Sequence, residues 1–169
     1  MILHTKRLTL RPFSPQDEGP FIIGIQDIEL RRMYGLPAEL SLDTARRIFE
    51  QFSNLSVSLS LIRSEDDALI GFLLDVPAEL PEPMLRTLPE GGRTLAFATF
   101  APYQRQGYMR EAIQAVMDQH SNARDASYLH GGHFVYNVPS QRLLAGLGFT
   151  IYGGHPVGIH NVTDEIRML

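Results

Sequence analysis

The chain has 169 residues, of which 44% are hydrophobic and 20% are charged, and its formal net charge is −4. These values are ordinary for a globular protein and the length suits one core, so we expect a single domain over residues 1–169. The negative charge excludes the overall basic field that attracts nucleic acid or anionic membranes. The chain has no cysteine, which excludes disulfides, thiolate metal ligands and a cysteine nucleophile.

The beginning of the chain has the pattern of a strand and not that of a targeting signal. Its first residues, MILHTKRLTL, alternate polar and apolar side chains and lack the charged-then-apolar order of a signal peptide. No apolar run approaches the roughly 20 residues of a membrane span. We therefore predict a cytoplasmic protein without a membrane partner, and the lack of cysteine fits a reducing compartment.

Hydrophobic periodicity divides the first half of the chain into strands and helices. Alternation predicts a strand over residues 7–13, and Ser14 is a typical N-cap for a short helix that follows. A second helix begins near Asp43, where apolar residues recur at helical spacing. Residues 56–63 and 68–76 alternate on either side of a short turn and predict an antiparallel hairpin.

In the second half, strands alternate with helices. Residues 77–93 are rich in proline, glycine and glutamate and predict a long surface loop. The nearly all-apolar stretch 94–100 predicts a strand buried on both faces, and the stretch after Gly107 has the clearest helical periodicity. The remaining elements are a strand over 127–136, a helix ended by Gly148 and two closing strands.

The predicted element order is β–α–α–β–β–β–α–β–α–β–β. Hairpins in the first half give antiparallel neighbours, whereas strand–helix–strand units in the second half give parallel ones. The sequence therefore predicts an α/β protein built on a mixed sheet.

The loop before the most periodic helix has a sequence suited to binding an anion. The stretch YQRQGYMREA, residues 103–112, places a glycine and polar residues at a helix start, where N–H groups are unpaired. Gly107 lets the backbone approach a phosphate, and Arg105 and, one turn later, Arg110 add positive charges for charge-assisted contacts. An ordinary strand-to-helix turn explains the same residues equally well. The P-loop triplet Gly-Lys-Ser/Thr and the dinucleotide motif G-x-G-x-x-G are both absent.

Three motifs in one order favour the anion-binding interpretation. Gln104 and Gly107 match the pattern Q/R-x-x-G-x-G/A at a helix start, except that Met109 stands in its last position. Further along the chain, Asn137 and Ser140 match Asn-x-x-Ala/Ser, and a Gly-Phe pair closes the following helix. In these motifs the chain resembles the GNAT acetyltransferase superfamily. Its segment HTKRLTLRPFSPQD resembles the opening of the ribosomal-protein alanine N-acetyltransferase branch.

The resemblance covers nearly the whole chain and implies both a fold and a cofactor. The implied fold is a mixed, largely antiparallel twisted sheet of six to seven strands with a central parallel, splayed pair, flanked by about four helices. Acetyl-CoA is the implied co-substrate, bound in a gap between strands 94–100 and 128–135. The residues assigned to it are Thr99, Phe100, Gln104, Arg105, Gln106, Gly107, Tyr108, Met109, Asn137 and Ser140. A helix cap at Asn137 and a first-turn hydroxyl at Ser140 are the alternatives.

The resemblance also implies direct transfer of the acetyl group from the thioester to an amine, in agreement with the absent cysteine. The backbone N–H of Phe100 is expected to stabilise the oxyanion. Leu144 stands where many relatives have a tyrosine acid, and Thr94 stands where many have a glutamate base.

Other residues must therefore supply the acid and the base, unless water relays the protons. The candidates are Asp75, Glu79, His133, Tyr136 and Tyr152. An ordinary structural role is open to each of them, and we keep His133 and Tyr152 as the candidate catalytic residues.

Two further positions near the loop have predicted roles. Met109 begins the apolar stripe of its helix, so we expect its side chain in the core and not in the phosphate site. Glu111 lies in the first turn of that helix, and we expect a solvated charge.

The histidines lack carboxylates at metal-ligand spacing, and we predict no metal site.

These observations predict an acetyl-CoA-dependent N-acetyltransferase that acts on a primary amine, as a monomer or homodimer and without nucleic acid. The acceptor is a protein N-terminus or a small molecule such as an amino acid, a polyamine or an aminoglycoside. Residues 14–42 and the 77–93 loop are expected to shape the acceptor cleft. Two alternatives stay open: a GNAT-like domain that binds coenzyme A or an acyl-CoA with little or no transfer, and an α/β interaction module without a cofactor.

Overall fold

The computed structural model describes every residue from Met1 to Leu169, in two compact units. The first unit comprises Met1–Leu74 and Phe97–Ala115, and the second comprises Asp75–Ala96 and Val116–Leu169. The prediction of a single domain over the whole chain stays a prediction. None of the helices combines the length and the apolar character that crossing a membrane requires.

Eight strands and six α-helices make up the fold. The strands are β1 (Leu3–His4), β2 (Leu8–Arg11), β3 (Ser58–Arg63), β4 (Leu69–Pro77), β5 (Gly92–Thr99), β6 (Tyr128–Phe134), β7 (Thr150–Val157) and β8 (His160–Met168). The helices are α1 (Glu18–Ile25), α2 (Ile28–Tyr34), α3 (Leu42–Asn54), α4 (Glu82–Leu85), α5 (Tyr108–Ala123) and α6 (Val138–Gly146). Hydrogen bonds order the strands as β1-β2-β3-β4-β5-β6-β8-β7 in one sheet.

The first unit is an antiparallel meander of β1, β2, β3 and the start of β4. In β2, Leu8 and Leu10 are buried whereas Thr9 and Arg11 are partly exposed, as the period of two in a strand requires. Hydrogen-bonding N-caps at α2 and α3, supplied by Asp27 and Ser41, fix where these helices begin.

An aromatic cluster forms the core of the first unit. The ring of Phe21 lies 5.7 Å from that of Phe72 and 6.3 Å from that of Phe100, and Phe49 packs against it at 5.6 Å. A side chain on Gly24 would overlap the Phe100 ring, so a glycine is needed where α1 approaches this cluster. The end of β5 is thereby anchored by Phe100, which precedes the loop described below.

The second unit is built on β6, β8 and β7, which are antiparallel neighbours. β6 pairs with β8 from Tyr128–Met168 to Phe134–Val162. β5 is the parallel neighbour of β6, and the pairing runs from Gly92–Tyr128 to Thr94–His130. A left-handed glycine, Gly158 with φ of 58°, closes the hairpin between β7 and β8.

The predicted fold class is confirmed, with more elements than the sequence predicted. The additional elements are β1, α2 and α4. β1 has only two residues and depends on its pairing with β2, and α4 is one turn inside a segment rich in proline, so neither has a periodic sequence pattern. The glycines Gly131 and Gly132 do not interrupt β6, because both pair with β8.

Candidate active site

Side-chain hydrogen bonds hold the segment that leads from β5 into α5. We call residues 104–109, which end with the first two residues of α5, the 104–109 loop. Gln104 Nε2 donates to the Thr99 carbonyl over 2.9 Å. Gln106 Nε2 donates to the Pro102 carbonyl over 3.1 Å. The two glutamines therefore tie the loop to the backbone that precedes it, and the loop begins in a defined conformation.

The backbone of the 104–109 loop contains two left-handed residues. Gln104 is extended, Arg105 has φ of 62° and Gly107 has φ of 82°. Left-handed residues are typical of turns in which successive N–H groups bind an anion. The Glu111 N–H donates to the Gly107 carbonyl over 3.1 Å, so the loop leads directly into the first turn of α5.

Arg7, just before β2, holds the loop against the first turn of α5. Its Nη1 donates to the Gln106 carbonyl over 3.0 Å, and its Nε donates to Glu111 Oε2 over 2.7 Å. Its guanidinium lies 4.5 Å from the centroid of the Tyr108 ring, which is within the range of a cation–π contact. The Arg7 side chain thus contacts the loop at Gln106, the ring of Tyr108 and the first turn of α5.

Glu111 is not the solvated charge that its position predicts, and that prediction is wrong. Its Oε1 accepts from Thr5 Oγ1 over 2.6 Å and from the Arg7 backbone N–H over 2.8 Å, and its side chain is only 20% exposed. Burial alone would raise the pKa of the Glu111 carboxyl, but the hydrogen bonds from Thr5 and Arg7 outweigh burial and lower the pKa. The ionised carboxylate joins the N-terminal segment to α5.

Met109 lies in the core, as predicted, with 7% of its surface exposed. Its thioether therefore packs among the buried side chains. Arg105 is exposed, so its guanidinium is accessible to an anion from solvent. The loop thus offers one accessible positive charge.

The backbone N–H of Phe100, the predicted oxyanion donor, has a partner on β4. It donates to the Ile70 carbonyl over 2.8 Å. The role of this N–H in stabilising an oxyanion stays a prediction. The contacts of Thr99 and Phe100 with the cofactor stay predictions.

Asn137 caps α6. Its side chain accepts from the Ser140 N–H over 3.2 Å, and its carbonyl accepts from the Gln141 N–H. The helix-cap alternative is therefore observed for Asn137. The predicted contacts of Asn137 and Ser140 with coenzyme A stay predictions.

His133 is buried, and both of its ring nitrogens have partners. Nε2 lies 2.9 Å from Glu165 Oε1, and Nδ1 lies 3.0 Å from the Phe134 carbonyl oxygen. These surroundings argue against the predicted catalytic role, since no lone pair of the ring faces solvent. Tyr152 is partly exposed and its hydroxyl is hydrogen-bonded to Thr87 Oγ1, and its role as an acid stays a prediction.

His120 lies between two carboxylates that the sequence did not place together. Its Nδ1 is 2.6 Å from Asp125 Oδ1, and its Nε2 is 2.9 Å from Asp75 Oδ2. The hydrogen bond with Asp75 raises the pKa of His120, against the effect of burial and with help from Asp125. Burial alone would raise the pKa of Asp75, but hydrogen bonds from His120 and Arg93 outweigh burial and lower the pKa.

His130 belongs to a second chain of hydrogen bonds, which we call the Thr94–His155 chain. His130 Nδ1 is 2.9 Å from Thr94 Oγ1, and His130 Nε2 is 3.0 Å from Asp164 Oδ1. Asp164 Oδ2 is in turn 2.8 Å from His155 Nδ1. Burial alone would raise the pKa of Asp164, but the hydrogen bonds from His130 and His155 outweigh burial and lower the pKa.

No group of three or more His, Cys, Asp or Glu side chains is arranged to hold a metal ion. Each of the histidines described above has a ring nitrogen that faces a carboxylate. The second nitrogen of His130 faces a hydroxyl, and that of His133 faces a carbonyl oxygen.

The family model described as "Acetyltransferase (GNAT) domain" matches residues 7–150, which is most of the chain. The chain belongs to the GNAT acetyltransferase family. Membership confirms the resemblance seen in the motifs and identifies the chain as an acyltransferase. A sequence search of curated proteins gave no significant match.

Solved GNAT structures share this fold over nearly their full length. A GNAT-family acetyltransferase from Bacillus anthracis has a TM-score of 0.82 at 15% identity, covering 99% of this chain and 98% of that chain. An acetyltransferase from Agrobacterium tumefaciens has a TM-score of 0.76 at 19% identity, covering 100% and 95%. A Salmonella typhimurium acetyl transferase that modifies the N-terminal serine of ribosomal protein L7/L12 has a TM-score of 0.76 at 16% identity, covering 100% and 99%. At these identities the similarity shows the fold alone.

The predicted GNAT site residues fall into two sets. The first unit brings together Thr99, Phe100, Gln104, Arg105, Gln106, Gly107, Tyr108 and Met109. The second unit contains His133, Asn137, Ser140 and Tyr152. The sequence does not identify Arg7 and Glu111 as supports of the 104–109 loop, because these two residues pair across 104 positions of the chain.

Proposed function

We propose that this GNAT protein transfers the acetyl group of acetyl-CoA directly to a primary amine, either a protein N-terminus or a small-molecule amine. The observation that carries the proposal is the 104–109 loop. It contains two left-handed residues before a helix start, a feature of anion-binding turns, and Arg7 and Glu111 hold it against α5. Family membership supports acetyl transfer as the reaction class.

The 104–109 loop fits the pyrophosphate of coenzyme A on chemical grounds. The positive end of the helix dipole at the start of α5 favours a phosphate, by about 0.3–1 kcal/mol at an exposed site. Arg105 adds an accessible guanidinium, which prefers phosphate oxygens. Arg7 keeps the loop in shape, so less conformational entropy is lost when the anion binds.

Acetyl-CoA supplies the activated thioester in the proposed reaction. The chain has no cysteine, so an acyl group cannot pass through a protein thiol, and the amine has to attack the bound donor directly. Most primary amines are protonated at neutral pH, and an ammonium group has no lone pair with which to attack. The protein must therefore remove a proton from the acceptor before transfer.

A protein N-terminus is the acceptor that we propose to test first. The N-terminal segment resembles the ribosomal-protein branch of the family, and the structure of the Salmonella typhimurium enzyme belongs to a protein that modifies an N-terminal serine. A cytoplasmic location and a monomeric or dimeric state are part of the same proposal.

The test is the release of coenzyme A thiol from acetyl-CoA in the presence of amines. The panel contains peptides with free N-terminal serine or alanine, lysine, spermidine and kanamycin, and an N-acetylated serine peptide is the blocked control. We expect thiol release with at least one free amine, together with a product that is heavier by one acetyl group. If no amine in the panel is acetylated, the proposed function is contradicted.

A matched pair of variants tests the role of the loop. Gly107→Glu places a carboxylate in the anion site, and Gly158→Glu places the same residue at another left-handed glycine, in the turn between β7 and β8. The backbone strain and the added charge are therefore similar in the two proteins. We expect Gly107→Glu to lose acetyl-CoA binding while Gly158→Glu keeps it, and equal binding by both would contradict the assignment.

A further inference from the structure

Arg31 is a buried arginine of the first unit whose side chain lacks a partner. Only 8% of its surface is exposed, and its Nε has no hydrogen-bond partner. The ion pairs of the unit use other arginines, and none of them includes Arg31. A guanidinium stays charged in proteins, so Arg31 cannot escape the cost of burial by losing its proton. Helix α2 therefore carries a buried positive charge that the chain does not pair.

Two other arginines of the unit show which partner a partly buried guanidinium has in this protein. Arg11 donates through Nη1 and Nη2 to the two carboxylate oxygens of Asp17, over 2.7 and 2.9 Å. Arg63 donates through Nε and Nη2 to the two carboxylate oxygens of Asp66. In each pair, two N–H groups meet the two oxygens of one carboxylate, which is a strong geometry for a guanidinium. Arg31 is more buried than Arg11 and Arg63, yet it has no such carboxylate.

The acidic residues of α2 and its N-cap do not pair with Arg31. Asp27 stands four residues before Arg31, a spacing that permits a contact, but its Oδ1 accepts from the Leu30 N–H over 2.7 Å and caps the helix. Glu29 is exposed and pairs with Arg32 over 2.8 Å. No acidic residue follows Arg31 within one helical turn. The helix that carries Arg31 thus supplies no counter-charge.

Tyr34 lies one turn after Arg31 and does not supply a negative charge either. Its ring packs edge-on against the buried Phe72, with the ring centroids 5.1 Å apart. Burial raises the pKa of the Tyr34 hydroxyl, so this group stays neutral. Leu30, the residue before Arg31, is buried in the same apolar cluster as Phe72. The neighbours of Arg31 along α2 are therefore apolar or neutral, and a charge without a partner is costly in such surroundings.

An unpaired buried cation in a native fold points to an anion that the chain itself does not provide. Buried charges are retained in proteins when they are paired and hydrogen-bonded. The fork of a guanidinium matches the two oxygens of a carboxylate or of a phosphate. A carboxylate carries one negative charge and gives a neutral pair, whereas a phosphate at neutral pH carries more than one and leaves an excess charge in apolar surroundings. The charge balance therefore favours a carboxylate.

We infer that Arg31 is the binding residue for the carboxylate of a small organic ligand. The exposed fraction of Arg31 is too small for contact with an extended surface, but a carboxylate group at the end of a small molecule can reach it. Arg31 binds this ligand and is assigned no step in a reaction. The site lies wholly in the first unit, and the inference goes beyond the proposed acetyl transfer and does not depend on it.

An NMR titration of the full-length protein tests the inference. The readout is the Nε signal of Arg31, which is assigned by its absence from the Arg31→Met protein. The probes are acetate, phenylacetate and L-alanine, each beside its amide (acetamide, phenylacetamide and L-alaninamide), with inorganic phosphate as a further anion. Sodium chloride keeps the ionic strength equal in all samples, so the screening of charges does not differ between them.

We expect at least one carboxylate to shift the Arg31 Nε signal, while its amide and phosphate leave the signal in place. The Kd for this carboxylate, measured by calorimetry, should rise at least about 10-fold in Arg31→Met, as the loss of a charge-assisted hydrogen bond predicts. Arg46→Met is the matched control, because Arg46 is 52% exposed and pairs with Glu18, and it should keep the wild-type Kd. If no carboxylate shifts the signal, or if phosphate alone shifts it, the inference is overturned.

The Tm without added ligand tests whether Arg31 is unpaired in the folded protein. Methionine fills similar space without burying a charge, so Arg31→Met should unfold at a higher temperature than wild type, and Arg46→Met should unfold close to it. A Tm of Arg31→Met below that of Arg46→Met would show that Arg31 has a structural partner, and the inference would be overturned. The titration of the wild-type protein remains decisive if Arg31→Met does not fold.

The same probes separate this inference from the proposed function and distinguish two sources of the carboxylate. Neither the Nε signal nor the Tm depends on activity, so a protein that acetylates no amine leaves the inference standing, and failure of the titration leaves the proposed function standing. If L-alanine binds through Arg31 and also releases coenzyme A thiol, the carboxylate belongs to the acceptor. If carboxylates bind through Arg31 without being acetylated, they belong to a separate ligand. Either result supports the assignment of Arg31.

Discussion

His120 and His130 are both buried histidines of the second unit, and each is hydrogen-bonded through both ring nitrogens. The nitrogens of His120 face two carboxylates, those of Asp75 and Asp125. The nitrogens of His130 face one carboxylate and one hydroxyl, those of Asp164 and Thr94. The two sites thus differ in the chemistry of a single partner.

That partner determines whether the hydrogen bonds around the ring favour its charged form. A carboxylate only accepts, so two of them favour an imidazolium, and the pKa of His120 is raised accordingly. A hydroxyl both donates and accepts, so the contact of Thr94 with His130 does not require a charged ring. Two carboxylates around a buried histidine therefore favour the charged ring, and a hydroxyl in place of one of them removes that requirement.

The largest effect on stability is expected at Asp164. Asp164→Asn removes the charge that both His130 and His155 contact at a fully buried position, and we expect a loss of roughly 3 kcal/mol in the free energy of unfolding near neutral pH. Because the pKa of Asp164 is lowered, its contribution is present above the ordinary Asp value and is lost as pH falls through the lowered value. Urea unfolding of both proteins against pH measures this. A loss below about 0.5 kcal/mol near neutral pH would contradict the pairing.

A smaller effect with the opposite pH dependence is expected at His120. His120→Gln should lower the free energy of unfolding by roughly 2 kcal/mol, the size of a charge-assisted hydrogen bond. Because the pKa of His120 is raised, its contribution is fully present below the ordinary histidine value and is lost as pH rises through the raised value. The difference between wild type and variant should therefore shrink toward alkaline pH, and a difference that grows there would refute the assigned charge.

Asp125→Asn tests how much the second carboxylate contributes to the raised pKa of His120. Asp125 is 57% exposed and its contact with His120 is partly screened by solvent, so we expect a loss of about 0.5–1 kcal/mol. The variant gives His120 one carboxylate and one amide, and the pKa of His120 should move down toward its ordinary value. An NMR titration of the His120 ring checks this direction, with Asp164→Asn as the control that should leave the His120 titration unchanged.

The smallest effect is expected at the exposed ion pair of α4. Glu82 and Arg86 lie 2.6 Å apart, but their side chains are 75% and 74% exposed. Arg86→Ala should therefore change the free energy of unfolding by less than about 0.5 kcal/mol. A larger change would show that an exposed ion pair in this unit stabilises the protein as much as a buried one. The losses expected for Asp164→Asn and His120→Gln would then need revision.

The sequence predicted what depends on local periodicity and on motifs. Local patterns predicted three features. Alternating polar and apolar residues predicted β2, apolar residues at helical spacing predicted α5, and Gly107 predicted the turn before α5. Helix α2 was missed although both of its ends carry signals, an N-cap at Asp27 and a left-handed Gly35, because it has only seven residues.

The parts that the sequence did not predict depend on register and on long-range pairing. Asp164 meets His130 only through the pairing of β6 with β8, and Glu111 meets Arg7 only after β2 and α5 are packed. The hydrogen bond from the Phe100 N–H to the Ile70 carbonyl is a further contact of this kind. Such contacts are set by tertiary structure, which single-sequence patterns do not encode.

The most direct test of the account is a thermal-unfolding titration with acetyl-CoA, run beside coenzyme A, ATP and NAD at matched concentrations. A ligand at about 100 times its Kd stabilises a protein by roughly 2.7 kcal/mol, which shifts the Tm visibly. We expect a shift with acetyl-CoA and coenzyme A, its loss in Gly107→Glu and its persistence in Gly158→Glu. No shift with acetyl-CoA in the wild-type protein would contradict the claim that the 104–109 loop binds the cofactor of an acetyl transfer.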